Sequence, residues 1–480
     1  MPPGQTMPGE EGKMCDIVLV NPPISTEERY GKMAKLGSVT PPLGICYVAS
    51  FLERAGYTVS IVDGEVLNAG IDETVSQVLS KGSRIIGITS TITSFHNAIE
   101  VGRRLKRVQP DLVLILGGPY VSALMARSLE PSFDFGVFGE GEYTVLELME
   151  YLTGKSKRDI SSIRGLIYRD NSDLRINEPR EYIQDLDGLP WPARHLLPPL
   201  HLYRPNSQCY RKLPATTMIT SRGCPYNCIF CDHSVFGRKY RAFSAEYVVN
   251  EMQHLVEKYG IREIWIVDDT FTLNKKRVMD ISDLIIGRGI KVSWSCLGRV
   301  NTVSPELLHK MKEAGCWMIA YGIETGNQEV MDFLRKGITI GEVRQAIAWT
   351  RDAGLLAKGY FMIGHPTDTL ETIDETISFA KELQLDYALF TITSPLPNTD
   401  LFEICRTIGK VDYSDLSRFS AWNAVYEPPG LTKEQIEGKF REAYRSFYLR
   451  PGYIFSQLGH IKGLDDFIRH VSAFVSLLNL

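Results

Sequence analysis

Three cysteines in one short stretch carry the strongest chemical signal in the chain. Cys224, Cys228 and Cys231 stand at offsets 0, 4 and 7 in Ser221-Arg222-Gly223-Cys224-Pro225-Tyr226-Asn227-Cys228-Ile229-Phe230-Cys231. Thiolate is the ligand that iron–sulfur clusters select, and three thiolates around a four-iron cluster leave one iron open for a further ligand. A structural zinc site would need a fourth ligand, for which His233 is the candidate, and normally uses paired short spacings. The other six cysteines (Cys15, Cys46, Cys209, Cys296, Cys316 and Cys405) are scattered, mostly in apolar runs. They read as buried free thiols, which suits a reducing compartment better than a disulfide framework.

The elements that must position this stretch show in the apolar runs around it. Runs at 216–220, 264–268, 292–296, 318–323, 359–363 and 389–393 alternate with helical patterns such as 245–259, 305–314 and 340–353. Six strand–helix units predict an open or partial (β/α)6 barrel, with its chemistry at the C-terminal strand ends. The cysteines follow the first of these strands. Upstream, runs at 17–20, 58–63, 85–89, 112–116 and 135–138 alternate with helices near 43–55, 71–80 and 98–108. Short apolar strands separated by helices argue a doubly wound, Rossmann-like α/β domain with its ligand at the strand ends. Asn21-Pro22-Pro23, Pro41–Gly44, Thr89–Ser94, Gly117-Gly118 and Gly139–Glu142 are assigned to those ends. Glycines there let backbone approach a ligand, or merely make turns.

The expected organisation is a disordered tail at 1–13, the Rossmann-like domain at 14–155, a connecting segment at 156–212, the barrel at 213–400 and a helical region at 401–480. In that last region Tyr444, Phe447 and Tyr448 cluster, and 467–480 has a helical apolar pattern. Both read as helix packed on the barrel, with a bulky apolar substrate as the alternative. A formal charge of −4 gives no cationic footprint for nucleic acid. No run reaches the ~18 apolar residues of a membrane span and no signal peptide is visible. A cytoplasmic protein is expected, with peripheral membrane contact left open.

The stretch C-P-Y-N-C-I-F-C after a first barrel strand resembles the CxxxCxΦC motif of the radical S-adenosylmethionine (SAM) superfamily. The resemblance implies a 4Fe–4S cluster on Cys224, Cys228 and Cys231, whose open iron chelates SAM, with Phe230 near the adenine. Trp265–Asp269 resembles the family's second-strand segment near the SAM amino group, and Arg299 the arginine ending the third strand. Glu324, in Gly322-Ile323-Glu324-Thr325-Gly326, matches a glutamate that contacts SAM. Gly364, in G-Y-F-M-I-G-H-P, matches the fifth-strand glycine segment. The sixth-strand P-G-T is replaced here by Pro397-Asn398-Thr399. The upstream domain resembles the cobalamin-binding domain of one large subfamily, and the whole resemblance spans about residues 14–400. It implies cobalamin contacts at Ser90, Thr91, Gly117, Gly118, Gly139 and Glu140. The D-x-H-x-x-G loop that gives other corrinoid proteins a histidine on cobalt is missing, since no histidine precedes His96.

The implied activity is cobalamin-dependent methylation of an unactivated carbon in a small-molecule, lipid or tetrapyrrole substrate, driven by a 5′-deoxyadenosyl radical. Flavodoxin or ferredoxin would supply electrons. Alternatives are a radical SAM cyclase, oxidase or carbon-coupling enzyme without methyl transfer, and a corrinoid carrier or sensor with an inert barrel. A tRNA methylthiotransferase would need further cluster cysteines upstream, where only Cys15 and Cys46 lie, and a basic tail. Replacing Cys224, Cys228 and Cys231 together by Ala is expected to abolish the cluster's visible absorption and all 5′-deoxyadenosine formation. Retained SAM cleavage in that variant would refute the cluster assignment.

Overall fold

The five upstream apolar runs become parallel strands because each has both faces covered. In β1 (Ile17–Asn21) the first four residues are buried. β2 (Val59–Asp63), β3 (Ile85–Thr89), β4 (Val113–Gly117) and β5 (Phe135–Val137) follow, in the order β2-β1-β3-β4-β5, all parallel. They alternate with α1 (Thr26–Tyr30), α2 (Leu43–Arg54), α3 (Ile71–Ser80), α4 (Phe95–Val108), α5 (Pro119–Leu124) and α6 (Gly141–Leu152). This is the flavodoxin-like order, whose direction reverses between β1 and β3 and opens a crevice at their carboxyl ends. Pro41–Gly44 does not end a strand: Pro42 caps α2. This computed structural model describes residues 15–458 apart from 172, 207 and 414. The tail at 1–13 and the apolar pattern at 467–480 lie outside the described residues.

The connecting segment divides into two parts. β6 (Leu166–Asp170) and β7 (Asp173–Ile176) form an antiparallel hairpin that extends the first sheet beyond β5. Its outer strand is mostly exposed, so no apolar alternation marks it in the sequence. The stretch that follows crosses to the barrel. There Arg194 donates to Glu251 Oε1 at 2.5 Å and to the Thr217 carbonyl at 3.0 Å, while Tyr203 donates to Asp63 Oδ2 at 2.7 Å.

The second sheet has six parallel strands in chain order: β8 (Ala215–Met218), β11 (Glu263–Ile266), β12 (Ser293–Gly298), β13 (Cys316–Glu324), β14 (Leu356–Ile363) and β15 (Tyr387–Ile392). A short antiparallel pair, β9 (Ser221–Arg222) and β10 (Arg241–Ala242), sits at the top of β8. The sequence ranges match these strands to within a few residues. The helices between are α7 (Ala245–Tyr259), α8 (Lys275–Gly287), α9 (Pro305–Glu313), α10 (Gln328–Phe333), α11 (Ile340–Asp352) and α12 (Leu370–Glu382). Ser244, Asn274, Ser304, Asn327, Thr339 and Thr369 each cap the next helix through a side-chain oxygen, which fixes where every loop ends.

The sheet does not close, so β15 is a free edge. After α13 (Asp400–Thr407) the chain returns with α14 (Lys433–Tyr448) and α15 (Pro451–Leu458) to cover it. Tyr448 Oη donates to the Ala388 carbonyl at 2.6 Å and accepts from the Ala388 amide at 3.0 Å, and Tyr444 Oη donates to the Phe390 carbonyl. The C-terminal aromatic cluster is therefore edge cover, which explains its composition without a bulky substrate. No helix of the described residues is long and apolar enough to cross a membrane. Tyr448→Phe should leave both Ala388 groups unpaired and cost about 1–3 kcal/mol in urea unfolding, with cluster content unchanged.

Candidate functional site

The cysteine loop is anchored before its first cysteine. Asp268, just past β11, is 1% exposed and accepts from the Thr220 amide (2.5 Å), Thr220 Oγ1 (2.6 Å) and Ser221 Oγ (2.6 Å). Its neighbour Asp269 is exposed at the strand end, so the two acids divide into an anchor and an accessible group. Arg277 of α8 donates to the Phe243 and Thr220 carbonyls, holding both ends of the loop. Gly223 has φ +82°, and a Cβ there would lie 2.4 Å from the Lys239 carbonyl oxygen. The loop crosses itself at this point, and only glycine fits. Further on, the Ile229 amide donates to the Leu334 carbonyl and the Ile229 carbonyl accepts from the Leu401 amide. Ile229 and Phe230 pack with Val330, Leu334, Leu401, Cys405 and Tyr426.

Two buried cations flank Cys228. Arg299 Nη1 stands 3.9 Å from Cys228 Sγ, and its guanidinium lies 3.7 Å from the Tyr226 ring centroid. Its Nε is bound to Asn301, while its buried Nη2 has no partner. Lys336 donates to Glu324 Oε1 at 2.7 Å and stands 5.5 Å from the Phe230 ring centroid. The Cys228 thiol is held below its ordinary pKa by a hydrogen bond from Cys231 first, with Lys336 and Arg299 adding to it. Glu324 has φ +72°, at the place where the β13–β14 register shifts. Gly364 donates its amide to Asp368 Oδ2, and so does His365.

These residues fit an iron–sulfur cluster and SAM. Soft thiolates are paired with cations that would balance a negative cluster, and a guanidinium N–H is left unmet. A cavity of about 240 Å³ lies against them, lined by Cys228, Ile229, Cys231, His233, Ser234, Arg238, Asn398, Thr399 and Asp400. Asn398, the departure from P-G-T, has φ +65°, a conformation asparagine tolerates better than most residues. Lys336 and His365 were missed in the sequence. His365 is fully buried, shares a 3.1 Å hydrogen bond with Thr393 and has no partner on Nε2. The signal for Lys336 was a lone lysine among the buried positions Val330, Met331, Leu334 and Ile338.

At the first sheet, Ser90, Thr91, Gly117, Gly118 and Gly139 gather at the strand-end crevice. Ser90 Oγ donates to the Gly117 carbonyl, and Thr91 Oγ1 bonds the Thr93 and Ser94 hydroxyls. Gly118 has φ +96° and would place a Cβ 2.6 Å from the Ser90 carbonyl oxygen, so it makes the turn. Gly139 faces open space. Half-buried glycine backbone beside the Thr91 hydroxyl suits a large ligand such as cobalamin, while Ser90 is fully buried beneath it. Glu140 needs correction as a contact, because its carboxylate is committed elsewhere: it accepts from Arg222 Nη1 at 2.7 Å, Arg241 Nη1 at 2.8 Å and the Ile183 amide at 2.8 Å. The first histidine, His96, is bonded to Asp415.

Both halves of the chain match known families. Residues 218–380 match the radical SAM superfamily and residues 31–149 the B12 binding domain. An uncharacterised methyltransferase of Pyrococcus horikoshii is 37% identical over 442 residues, covering 92% of this chain and 94% of that protein. The anaerobic magnesium-protoporphyrin IX monomethyl ester cyclase of Cereibacter sphaeroides is 28% identical, covering 87% and 68%. The cobalamin-dependent SAM radical enzyme OxsB, solved with aqua-cobalamin and SAM bound, superposes with a TM-score of 0.73 at 17% identity, over 96% of this chain and 72% of its own.

Lys336→Met is expected to free Glu324 and weaken SAM binding at least tenfold while the protein still assembles its cluster. The change that SAM induces in the reduced cluster's electron paramagnetic resonance spectrum would measure it. Unchanged SAM affinity would remove Lys336 from the site.

Proposed function

Because this chain belongs to the radical SAM superfamily and carries its B12 binding domain, we propose that it methylates an unactivated carbon of a small-molecule substrate, using cobalamin and two molecules of SAM. The observation that carries this reading is the joining of two sites on one chain. The cysteine loop and the crevice of the first sheet both lie at strand ends, and the Arg222–Glu140 ion pair links them.

When bound, the cluster and SAM supply the 5′-deoxyadenosyl radical and the corrin supplies the methyl group; everything else falls to the protein. Cys224, Cys228 and Cys231 hold the cluster, and Arg299 and Lys336 lower the cost of its negative charge in a buried setting. Glu324, oriented by Lys336, and the exposed Asp269 are assigned to the SAM amino group. Phe230 would pack beside the adenine. The backbone around Gly364, fixed by Asp368, lines the same end of the barrel. Thr91, Gly117, Gly118 and Gly139 would offer a hydroxyl and half-buried backbone to the corrin, and the buried Ser90 would hold the Gly117 turn beneath it. The Asp268 anchor keeps the loop rigid, and the packed barrel wall keeps water from a reactive radical. We assign electron delivery to a flavodoxin or ferredoxin, and place the protein in the cytoplasm on the strength of its free cysteines.

The cyclase relative shows that a similar chain can carry another reaction, so the products made from SAM decide the matter. Anaerobic turnover should yield 5′-deoxyadenosine and S-adenosylhomocysteine in about equal amounts, and a product in which one C–H hydrogen is replaced by methyl. 5′-Deoxyadenosine alone would overturn methyl transfer and leave the radical chemistry standing.

A further inference from the structure

The stem of the cysteine loop carries a charge arrangement that makes no sense within the barrel alone. Arg222, two residues before Cys224, lies directly opposite Arg241 in the β9–β10 pair. Like charges facing each other across an antiparallel pair repel, and here both guanidiniums are also buried, with side chains 2% and 3% exposed. Nothing on the loop itself neutralises them. Both counter-charges come from the first domain. Glu140 accepts from both arginines, and Glu142 accepts from the second arm of Arg222 at 2.6 Å. Aromatic rings complete the enclosure. Tyr47 of the first domain and Phe236 of the loop each lie 5.1 Å from the Arg222 guanidinium, and Tyr182 lies 4.9 Å from that of Arg241. Glu140 follows Gly139 immediately, and Glu142 sits in the first turn of α6. One end of this network is thus two residues from a cluster cysteine, and the other is one residue from the crevice of the first sheet.

We propose that Arg222, Arg241, Glu140 and Glu142 form a clasp that fixes the separation of the cluster from the corrin ring, with Arg222 and Glu142 as positioning residues for methyl delivery. This rests on the cobalamin reading above. The forked guanidinium of Arg222 reaches one carboxylate with each arm, so it sets direction as well as distance. Separating the domains would leave two opposed, buried cations without counter-ions, so the clasp resists exactly the motion that would change the gap between the cofactors.

The test uses the full chain reconstituted with cluster and cobalamin, and compares wild type with Glu142→Gln, Arg222→Lys and, as a neighbouring buried ion pair that ties the connecting segment to the barrel outside the clasp, Glu251→Gln. Samples frozen with the reduced cluster and cob(II)alamin both paramagnetic are measured by pulsed dipolar spectroscopy. A single narrow distance is expected in wild type and Glu251→Gln. At least a doubling of the distribution's width is expected in Glu142→Gln and Arg222→Lys, together with a severalfold rise in 5′-deoxyadenosine formed per methylated product. Glu142→Gln keeps Glu140 between the arginines, so it preserves folding if Arg222→Lys does not. Clasp variants with the wild-type distance, or a Glu251→Gln protein that broadens equally, overturn the proposal alone. A wild-type protein with no coupling to cobalt overturns the cobalamin reading and the clasp with it.

Discussion

Asp268 is a carboxylate with almost no access to water, and three hydrogen bonds from Thr220 and Ser221 make its burial tolerable. Burial pushes its pKa up, and the charge of Arg277 and the bonds from Ser221 and Thr220 offset only part of that rise. The cysteine loop depends on this knot. A long loop at the top of a strand would ordinarily be mobile, and a cluster held by three thiolates from one loop inherits whatever mobility its stem has. Here the stem is tied to β11 through Asp268, to α8 through Arg277, and to itself at Gly223. The loop's position therefore follows the rigid barrel sheet, and the cysteines behave as part of that sheet.

The same economy governs one edge of each sheet. A partial barrel exposes β15, and α14 returns to pair its backbone with tyrosine hydroxyls where a seventh strand would otherwise be needed. The first sheet is extended instead by the β6–β7 hairpin. Opening the barrel creates a problem of unpaired backbone, and covering it with aromatic side chains leaves the strand ends free for cofactors.

Charge is concentrated where the chemistry belongs. Arg299 and Lys336 stand beside Cys228, Arg222 and Arg241 sit under the loop, and each group is buried. The overall charge of −4 hides this local excess. A chain that is acidic in sum places five buried cations around one cysteine loop, Arg277 among them, and the carboxylates that offset them come largely from distant segments. Electrostatic matching across the domain seam thus serves to place the loop as well as to neutralise it.

The local patterns carried the architecture. The 0, 4, 7 cysteine spacing, the alternation of apolar runs with helical patterns, and the strand-end glycines are all set by residues a few positions apart, so they could be read directly, and the barrel strands stand within a few residues of where the runs lie. What the sequence could not assign is what depends on residues far apart. Glu140 looks like any acid in a glycine turn until Arg222 and Arg241, 82 and 101 positions away, are folded against it. Lys336 is an unremarked lysine until β13 brings Glu324 beside it, and the C-terminal tyrosines read as barrel-packing residues whose partner, Ala388 of the open edge, only the fold supplies. The exposed β7 strand has no apolar face to betray it. Spacing along the chain decided which chemistry is present, because ligands to one cluster lie in one loop. Only packing decided which charged groups stay free for it, because a buried charge must find its partner wherever the fold supplies one.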